Sequence, residues 1–234
     1  MEPRARGEEV ATEVRWLAVA MVALISSSSD ADCGTVRQPV VVELFHRPDC
    51  TSCLSALVNL DALADAPGVI ALSFDVTDTE AGDGKPIFGA RQRDRARAPR
   101  RSPIATPQTI INGRLAADGR SRKELDRAIA TQASIGPSIT FGGGDAIVAA
   151  GRVADPATVW LVTYKRRARS KAGEVSGETP PRRNVVGGLE ALGQWTGSPA
   201  RFRMRQYRWN DPNRGHAILV QQGVGGPIIA AKQF

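Results

Sequence analysis

The hydrophobic pattern of the chain predicts two buried strands joined by a helix. Residues 39–45, PVVVELF, and residues 69–76, VIALSFDV, are short apolar runs rich in β-branched residues, which is typical of strands buried on both faces. Between them, apolar residues of the segment 51–66 recur at helical spacing, and Pro67-Gly68 ends the helix. Two strands joined by one helix form a right-handed crossover unit, so we expect the strands to be parallel.

The pattern after the second strand predicts a helix, a hairpin and a further helix. The first of these helices is expected at residues 87–97. Asn112-Gly113, between two apolar stretches, is a strong hairpin signal. Ser121 can cap the following helix, and Glu124 can reach back to complete a capping box. The element order is therefore strand, helix, strand, helix, hairpin, helix, which is the thioredoxin-like order.

Residues 135–234 are expected to form a separate region rich in strands. Their short apolar runs are separated by glycines and polar loops, which is typical of a small antiparallel sheet system. The segment 165–183 is too polar to pack and predicts an exposed hairpin or loop, and the segment 184–195 fits a short helix or a bent strand. We therefore predict an α/β protein with a thioredoxin-like domain at residues 38–134 and a C-terminal β-rich subdomain at residues 135–234.

The first residues have the composition of a secretory signal peptide. Residues 16–25 form an uncharged apolar run that is too short to cross a membrane comfortably, and small residues precede an expected cleavage after Ala31. We expect residues 1–31 to be a signal peptide and the mature protein to be secreted or periplasmic. An uncleaved membrane tether and a cytoplasmic chain are the alternatives. A lipid anchor on Cys33 is disfavoured because Asp32 stands where a small residue should precede it.

The chain is basic, with a formal net charge of +7. Removal of residues 1–31 raises the charge to +9, because that segment carries three arginines and five acids. A positive field attracts anionic surfaces and nucleic acid. The basic residues are nevertheless spread over the stretches 90–101, 165–169 and 201–208, and no nucleic-acid motif accompanies them. We interpret them as exposed faces that keep the protein soluble, and we expect no nucleic-acid partner.

Cys50 and Cys53 stand three residues apart between the first strand and the first helix. Three interpretations are open: a redox pair, an inert disulfide and half of a metal site. A disulfide that closes so short a loop stabilises a fold by only about 2 kcal/mol, which is little for a structural staple. A zinc site needs further ligands, and neither Cys33 nor His216 stands at zinc spacing. The strand before the pair and the helix after it favour a redox role, and we expect no metal and no cofactor.

Residues around the pair are expected to tune its reactivity. Backbone N–H groups and the helix dipole stabilise a thiolate at the start of a helix, where Cys50 is predicted to lie. Arg47 and a protonated His46 would add to this stabilisation, whereas the carboxylate of Asp49 would oppose it. The sign of the net effect on the pKa of Cys50 stays open. We predict Cys50 as the more exposed, attacking sulfur and Cys53 as the resolving one.

The segment 105–114, ATPQTIINGR, resembles the part of thioredoxin-like proteins in which a cis-proline faces the cysteine pair. The resemblance implies a cis bond before Pro107. It also implies that Thr106 and Pro107 line a substrate groove opposite Cys50.

A wider similarity joins the chain to the domain of unknown function 1223 family, a family of secreted thioredoxin-like proteins. The similar segments run from about Pro39 to Phe234 and are VVVELF…CTSC, VIALSFDV, ARQRDRAR, TPQTIINGR, VWLVTY, NVVGGLEALGQWTG and ILVQQGVGGPIIAA. The similarity implies a thioredoxin-like domain with an added C-terminal β-rich region, exported from the cytoplasm. It implies no particular reaction.

The chain departs from the family pattern at two places. Family members usually end the cysteine motif in Ser-Cys-Pro-Pro, whereas this chain has Ser52-Cys53-Leu54-Ser55. They also usually carry His-Val-Asp-Tyr-Trp-Asp after the second strand, where this chain has DVTDTE at residues 75–80. If the missing histidine and aromatic residues shape the usual site, the protein is a divergent or weakened member.

The sequence therefore predicts an exported protein that exchanges thiols and disulfides through Cys50 and Cys53. The expected partners are protein thiols or a disulfide partner in the cell envelope, and membrane contact is expected only if the leader stays uncleaved. The alternative is a binding module on the same scaffold, whose cysteines form a fixed disulfide and whose β-rich region docks a partner. His216 is expected at the surface or in packing, and the C-terminal tryptophans are expected in the core.

Overall fold

Strands dominate the computed structural model, which describes residues 35–47, 49–76, 85–97, 104–132, 134–168, 182–205 and 211–234. The predicted signal peptide, Cys33, the loop at residues 77–84 and Trp209 lie outside these residues. The described residues hold thirteen strands and three α-helices, so the protein has a mixed α/β fold. None of the helices described is long and apolar enough to cross a membrane.

The N-terminal part of the described chain supplies five strands, three α-helices and one 3-10 turn. They are β1 (Thr35–Gln38), β2 (Val40–His46), the 3-10 turn (Thr51–Cys53), α1 (Leu54–Asp61), β3 (Val69–Asp75), α2 (Pro86–Arg97), β4 (Gln108–Ile111), β5 (Leu115–Ala117) and α3 (Arg122–Ala130).

The remaining described residues form strands. They are β6 (Ser134–Pro137), β7 (Ile139–Gly142), β8 (Asp145–Val148), β9 (Ala157–Ala168), β10 (Arg182–Trp195), β11 (Ala200–Arg203), β12 (Arg214–Gln222) and β13 (Ile228–Gln233). The short strands β1 and β6 pair with each other and were not predicted from the sequence.

Eight of the described strands form one sheet in the order β13-β12-β9-β10-β3-β2-β4-β5. β2 and β3 are parallel and pair from Val40 with Val69 to His46 with Asp75, which confirms the predicted crossover unit. β4 is antiparallel to β2, while β10 joins the other edge of β3 in parallel. Strands from both sides of the boundary predicted at residue 134 thus share one sheet, and the division into two subdomains stays a prediction.

Strand β2 is buried along its whole length because it lies between two hydrophobic layers. Val41 and Phe45 belong to a cluster that includes Phe88 of α2. Val42 and Leu44, which point to the opposite face, belong to a cluster with apolar residues of α1 and α3. The two-sided burial predicted from PVVVELF is therefore confirmed.

A third apolar cluster joins the large sheet to the three-stranded sheet β11-β8-β7. Trp195 is fully buried in this cluster, and Phe202 and Met204 are buried beside it. Arg201 and Arg203, which alternate with them, are exposed. Trp195 thus lies in the core as predicted.

Two local signals in the sequence are confirmed. Asn112 and Gly113 join β4 to β5 with φ angles of 47° and 60°, the left-handed backbone that this hairpin turn requires. Ser121 caps α3, and its Oγ accepts a hydrogen bond of 3.4 Å from the backbone N–H of Glu124.

The two ends of the polar segment 165–183, predicted to be an exposed hairpin or loop, lie in the antiparallel pair β9 and β10, where Ala168 pairs with Arg182. The first residues of the segment belong to β9 and its last two to β10, while residues 169–181 lie outside the described chain. Residues 184–195, for which a helix and a bent strand were both open, continue β10 as a strand with irregular pairing between Val186 and Gly188 and between Ala191 and Gly193.

Arg91 and Arg95, predicted to lie on an exposed basic face, are buried. Each guanidinium of this α2 pair lies 2.6 Å from a carboxylate oxygen of Glu43 in the middle of β2. The three side chains are at most 5% exposed. The exposed-face prediction is therefore wrong at these two positions, because a carboxylate inside an apolar strand needs buried counterions.

Candidate functional site

The predicted cysteine pair lies between β2 and the first helix. Cys50 has an extended backbone and precedes the 3-10 turn, which leads directly into α1. The backbone N–H of Cys53 donates to the carbonyl of Cys50 at 3.0 Å and closes the turn. The two sulfurs form a disulfide, and their Cα atoms are 5.3 Å apart. Both cysteines therefore follow the carboxyl end of a parallel strand, where α/β sheets commonly form their sites.

The two sulfurs differ in access. Cys53 is fully buried at the start of α1, whereas Cys50 is only half-buried. The hydroxyl of Ser52 lies 3.3 Å from the sulfur of Cys50 and can donate to it. An incoming thiolate therefore reaches Cys50 more readily than Cys53.

Thr106 and Pro107 lie next to Cys50. The peptide bond between them is cis, and the carbonyl oxygen of Thr106 lies 3.7 Å from the Cys50 sulfur. Pro107 directly precedes β4, the strand that pairs with β2. Both residues are half-buried, so the segment forms an accessible wall beside the cysteine. The cis bond that the resemblance implies is present, and the binding of substrate to this wall stays a prediction.

Gln92, which the sequence did not point to, holds this wall in place. The buried side chain of Gln92 on α2 donates a hydrogen bond of 2.8 Å to the carbonyl of Ala105. The contact ties α2 to the residue immediately before Thr106. The available signal was an uncharged amide within the arginine-rich segment ARQRDRAR, because an amide is easier to bury than a charge.

His46, at the end of β2, is neutral at physiological pH. The side chain is buried, and its Nε2 lies 2.8 Å from the hydroxyl of Ser73. Burial, together with the positive charge of Arg182, lowers the pKa of His46 from 6.5 to about 3. The expectation of a protonated His46 beside the cysteines is therefore wrong.

The charge that acts on His46 comes from the C-terminal part of the chain. Arg182 begins β10, and its guanidinium lies 3.7 Å from the carboxylate of Asp75. Asp75 is the register partner of His46 on β3. All three residues are buried. The polar cluster behind the cysteine loop is thus completed by a strand that lies far from it in sequence.

Arg47 and Asp49, the other two predicted modulators, pair with each other. Their side chains form an exposed ion pair with an N···O distance of 2.7 Å. The hydrogen bond from Arg47 lowers the pKa of Asp49, so the carboxylate stays charged at neutral pH. The two charges largely cancel, which leaves little net charge from this pair near Cys50.

In the described segments, no three His, Cys, Asp or Glu side chains are grouped so that they could hold a metal ion. His216 is buried, its Nδ1 lies 3.3 Å from the hydroxyl of Thr163, and its ring stacks on Phe234 with centroids 5.5 Å apart. These contacts are those of a packing residue.

The chain is similar to two solved structures. One is protein AGR_C_4864 from Agrobacterium tumefaciens, with 23% identity and a TM-score of 0.66 over 83% of this chain and 93% of the other. The second is HBP35 of Porphyromonas gingivalis, with 12% identity and a TM-score of 0.57 over 86% of this chain and 76% of the other. At these identities the likeness concerns the fold alone.

A comparison with curated proteins found no match. A family model described as a protein of unknown function, DUF1223, matches residues 41–221. This range covers most of the chain and includes both cysteines, the cis-proline segment and the buried ion cluster. The chain belongs to the DUF1223 family.

Proposed function

We propose that the chain is an exported thioredoxin-like protein that exchanges thiols and disulfides through Cys50 and Cys53. One observation carries the proposal: a half-buried Cys50, bonded to a buried Cys53, lies 3.7 Å from the cis Thr106–Pro107 segment. A disulfide that only staples the fold needs neither an accessible sulfur nor a wall beside it.

The arrangement of elements supports the thioredoxin-like part of the proposal. β2, α1 and β3 form a parallel crossover unit, and the hairpin β4–β5 pairs antiparallel on the other side of β2. α2 packs on one face of these strands, while α1 and α3 pack on the other. The sheet then extends beyond β3 through β10, β9, β12 and β13.

In the disulfide form the pair can accept two electrons. A substrate thiolate attacks the sulfur of Cys50, the Cys50–Cys53 bond breaks, and Cys53 leaves as a thiolate that takes up a proton. A second substrate thiolate then attacks the substrate sulfur of the mixed disulfide, and Cys50 leaves and is protonated. The substrate has become a disulfide, and two electrons and two protons have passed to the protein. The same steps in reverse reduce a substrate disulfide.

The surroundings of Cys50 favour a polypeptide substrate. Ile104, two residues before Thr106, is 54% exposed and offers an apolar contact on the wall side. The Arg47–Asp49 pair carries no net charge, so it offers little attraction to a small charged thiol. We therefore propose exposed protein thiols or disulfides in the cell envelope as the partners.

The proposal is tested with two single cysteine variants. Cys53→Ser leaves the accessible sulfur of Cys50 without its resolving partner, so the variant should accumulate a stable mixed disulfide with reduced and denatured protein substrates after mild oxidation. Cys50→Ser leaves only the buried Cys53 and should accumulate none. Non-reducing electrophoresis and intact-mass measurement of the alkylated proteins show the difference directly.

The rival function, a binding module with a fixed disulfide, predicts another result. In that case neither variant forms mixed disulfides, and both lose stability to the same extent. The reduction potential of the wild-type pair would then lie below about −300 mV, the range of structural disulfides. A higher potential together with trapping by Cys53→Ser alone supports exchange.

A further inference from the structure

We infer that a pocket between α2 and the strands β9 and β12 binds a neutral molecule that carries a primary amide group on a small apolar body. The pocket has a volume of about 260 Å³ and is lined by residues of α2, β9, β10, β12 and the turn between β12 and β13. Neither the cysteine pair nor the cis-proline segment lines it. The pocket is therefore separate from the proposed exchange site.

Two residues that line the pocket carry a buried hydrogen-bond donor with no acceptor in the described part of the chain. One donor is Nη2 of Arg91, whose side chain is 5% exposed and whose Nε donates to Glu43. The other is the indole Nε1 of Trp160. The Arg91 guanidinium lies 5.7 Å from the centre of the Trp160 ring, so the two donors are neighbours. Buried donors usually have a partner, and one carbonyl oxygen between these two would serve both.

The same pocket contains a buried acceptor that receives no hydrogen bond from the described residues. This acceptor is the side-chain oxygen Oε1 of Gln221, a residue that is 5% exposed. The side-chain nitrogen of Gln221 donates to the carbonyl of Gly223 at 3.1 Å, which fixes the orientation of the amide and identifies the other atom as the oxygen. A ligand that satisfies the pocket must therefore donate as well as accept.

The register of the sheet places this acceptor close to one of the donors. On β12 and β9, Gln221 pairs with Thr158. The next pair on the same face joins Leu219 to Trp160. Residues two apart on a strand share a face, so the side chains of Trp160 and Gln221 are diagonal neighbours on one face of the sheet. Diagonal neighbours are about 7–8 Å apart, a distance that an amide group spans with a hydrogen bond at each end.

A primary amide matches this set of atoms. Its carbonyl oxygen can accept from both Arg91 and Trp160, while its NH₂ group can donate to Gln221. A carboxylate would instead bring negative oxygens toward the Gln221 oxygen and toward the carboxylate of Asp94, which also lines the pocket. A ketone would leave the Gln221 oxygen without a donor, at the cost of an unsatisfied buried group. The polar atoms therefore select a neutral ligand that both donates and accepts.

The remaining walls select an apolar body. Ile87 and Val224 line the pocket and are among the most exposed large apolar side chains described, at 37% and 82%. Leu189 adds a half-buried apolar contact. A cavity of roughly 150 Å³ is enough to hold benzene, so this pocket has room for a ring of that size together with an amide group.

Benzamide, acetophenone and benzoate are suitable probes because they share a shape and differ in one group. The indole N–H resonance of Trp160, assigned through Trp160→Phe, is followed by nuclear magnetic resonance during titration of the full chain. Benzamide should shift this resonance in a saturable way. It should bind about tenfold more tightly than acetophenone, which has a methyl group in place of NH₂ and cannot donate to Gln221. Benzoate should also bind more weakly than benzamide, because its oxygens face two acceptors.

Variants show which atom recognises which part of the ligand. Gln221→Leu should weaken benzamide binding by about tenfold and leave acetophenone binding unchanged, because only benzamide uses the Gln221 oxygen. Trp160→Phe keeps the ring but removes a donor to the carbonyl group, so it should weaken both ligands by a similar factor in ligand-observed nuclear magnetic resonance. This second variant covers the case in which Gln221→Leu fails to fold. Gln233→Leu removes an exposed amide outside the pocket and serves as the control, with no change expected for either ligand.

Three results would overturn the inference. Equal binding of benzamide and acetophenone would show that the Gln221 oxygen does not take part. Benzoate binding as tight as that of benzamide or tighter would show that the pocket does not select a neutral ligand. Failure of benzamide to move the Trp160 indole resonance would show that the buried polar atoms bind water only.

Discussion

The two faces of strand β2 bury ionisable groups with opposite results. On the face toward α2, Glu43 stays charged: burial raises its pKa, but Arg91 and Arg95 lower it below the ordinary value of 4.5. On the opposite face, His46 is neutral because burial and the nearby Arg182 both lower its pKa. Burial disfavours the charged form of either group, so the sign of the nearest charge decides the outcome.

This difference has a consequence for the cysteine loop that follows β2. His46, the ionisable residue closest in sequence to the loop on the buried side, contributes no positive charge to it. The exposed Arg47–Asp49 pair contributes little either, because its charges largely cancel. The accessibility of Cys50 and the wall at Thr106–Pro107, rather than a neighbouring cation, therefore distinguish the proposed exchange site.

The largest effect is expected from removing the buried carboxylate of Glu43, on the face of β2 toward α2. Glu43→Gln removes the carboxylate that both buried guanidiniums contact, so the free energy of unfolding should fall by roughly 3–5 kcal/mol. Urea unfolding at pH 7 measures the loss. Because the pKa of Glu43 is lowered in the fold, the carboxylate stabilises above pH 4.5, and this contribution disappears as the pH falls through the lowered pKa.

A matched control uses a carboxylate that pairs at the surface. Asp65, 79% exposed, lies 2.6 Å from the guanidinium of Arg183. Asp65→Asn should change the free energy of unfolding by less than about 1 kcal/mol. Equal losses in the two variants would contradict the view that the Glu43 cluster is held by buried charge.

The lowered pKa of His46, on the opposite face of β2, should make the free energy of unfolding depend on pH. Below pH 6.5 the unfolded chain binds a proton on His46, whereas the folded chain does not until about pH 3. The contribution of His46 to stability is therefore complete above pH 6.5 and is lost as the pH falls. The loss amounts to about 2 kcal/mol between pH 7 and pH 5.

His46→Gln is the variant that isolates this effect. Glutamine does not titrate, so the difference in unfolding free energy between wild type and variant should shrink by that amount between pH 7 and pH 5. The pKa of the buried His216 is also lowered, chiefly by burial, but both proteins retain His216. A difference that stays constant with pH would show that the pKa of His46 is not lowered in the fold.

The sequence predicted those parts of the fold that depend on neighbours along the chain. The apolar runs of β2 and β3, the Asn112-Gly113 turn and the Ser121 cap are local signals, and the structure has all of them. The position of the cysteine pair between a strand and a helix followed from the same pattern.

The sequence predictions are wrong where they depend on contacts between residues that are far apart along the chain. Arg91 was predicted to be exposed because nothing in its own segment indicates its contact with Glu43, 48 positions away. The neutral state of His46 depends on Arg182, and the Gln92 contact depends on where the Ala105 carbonyl lies. Hydrophobic periodicity and short motifs do not encode such pairs, because these contacts depend on the order of the strands in the sheet.

A smaller effect is expected at Gln92 on α2, the helix that also carries Arg91 and Arg95. Gln92→Leu removes the hydrogen bond to the Ala105 carbonyl, a loss of about 1 kcal/mol, and loosens the wall beside Cys50. The rate at which Cys53→Ser traps a protein thiol should fall by about fivefold in the double variant. The exposed amide Gln194, which donates to Thr158, supplies the control: Gln194→Leu should leave the rate unchanged. A lower stability with an unchanged rate would make Gln92 a packing residue only.

The smallest effect is expected beyond the end of β2, where charge is exposed to solvent. Asp49→Asn removes the negative charge of the exposed pair, so the remaining positive charge near Cys50 should raise the trapping rate by about twofold at low ionic strength. Arg47→Gln should lower the rate by a similar factor. Both differences should vanish in 1 M salt, where the screening length is about 3 Å. The Glu43→Gln loss of stability should persist in the same salt, because buried pairs are screened far less. A salt-independent effect of Asp49→Asn would mean that the exposed pair acts through the conformation of the loop rather than through its charge.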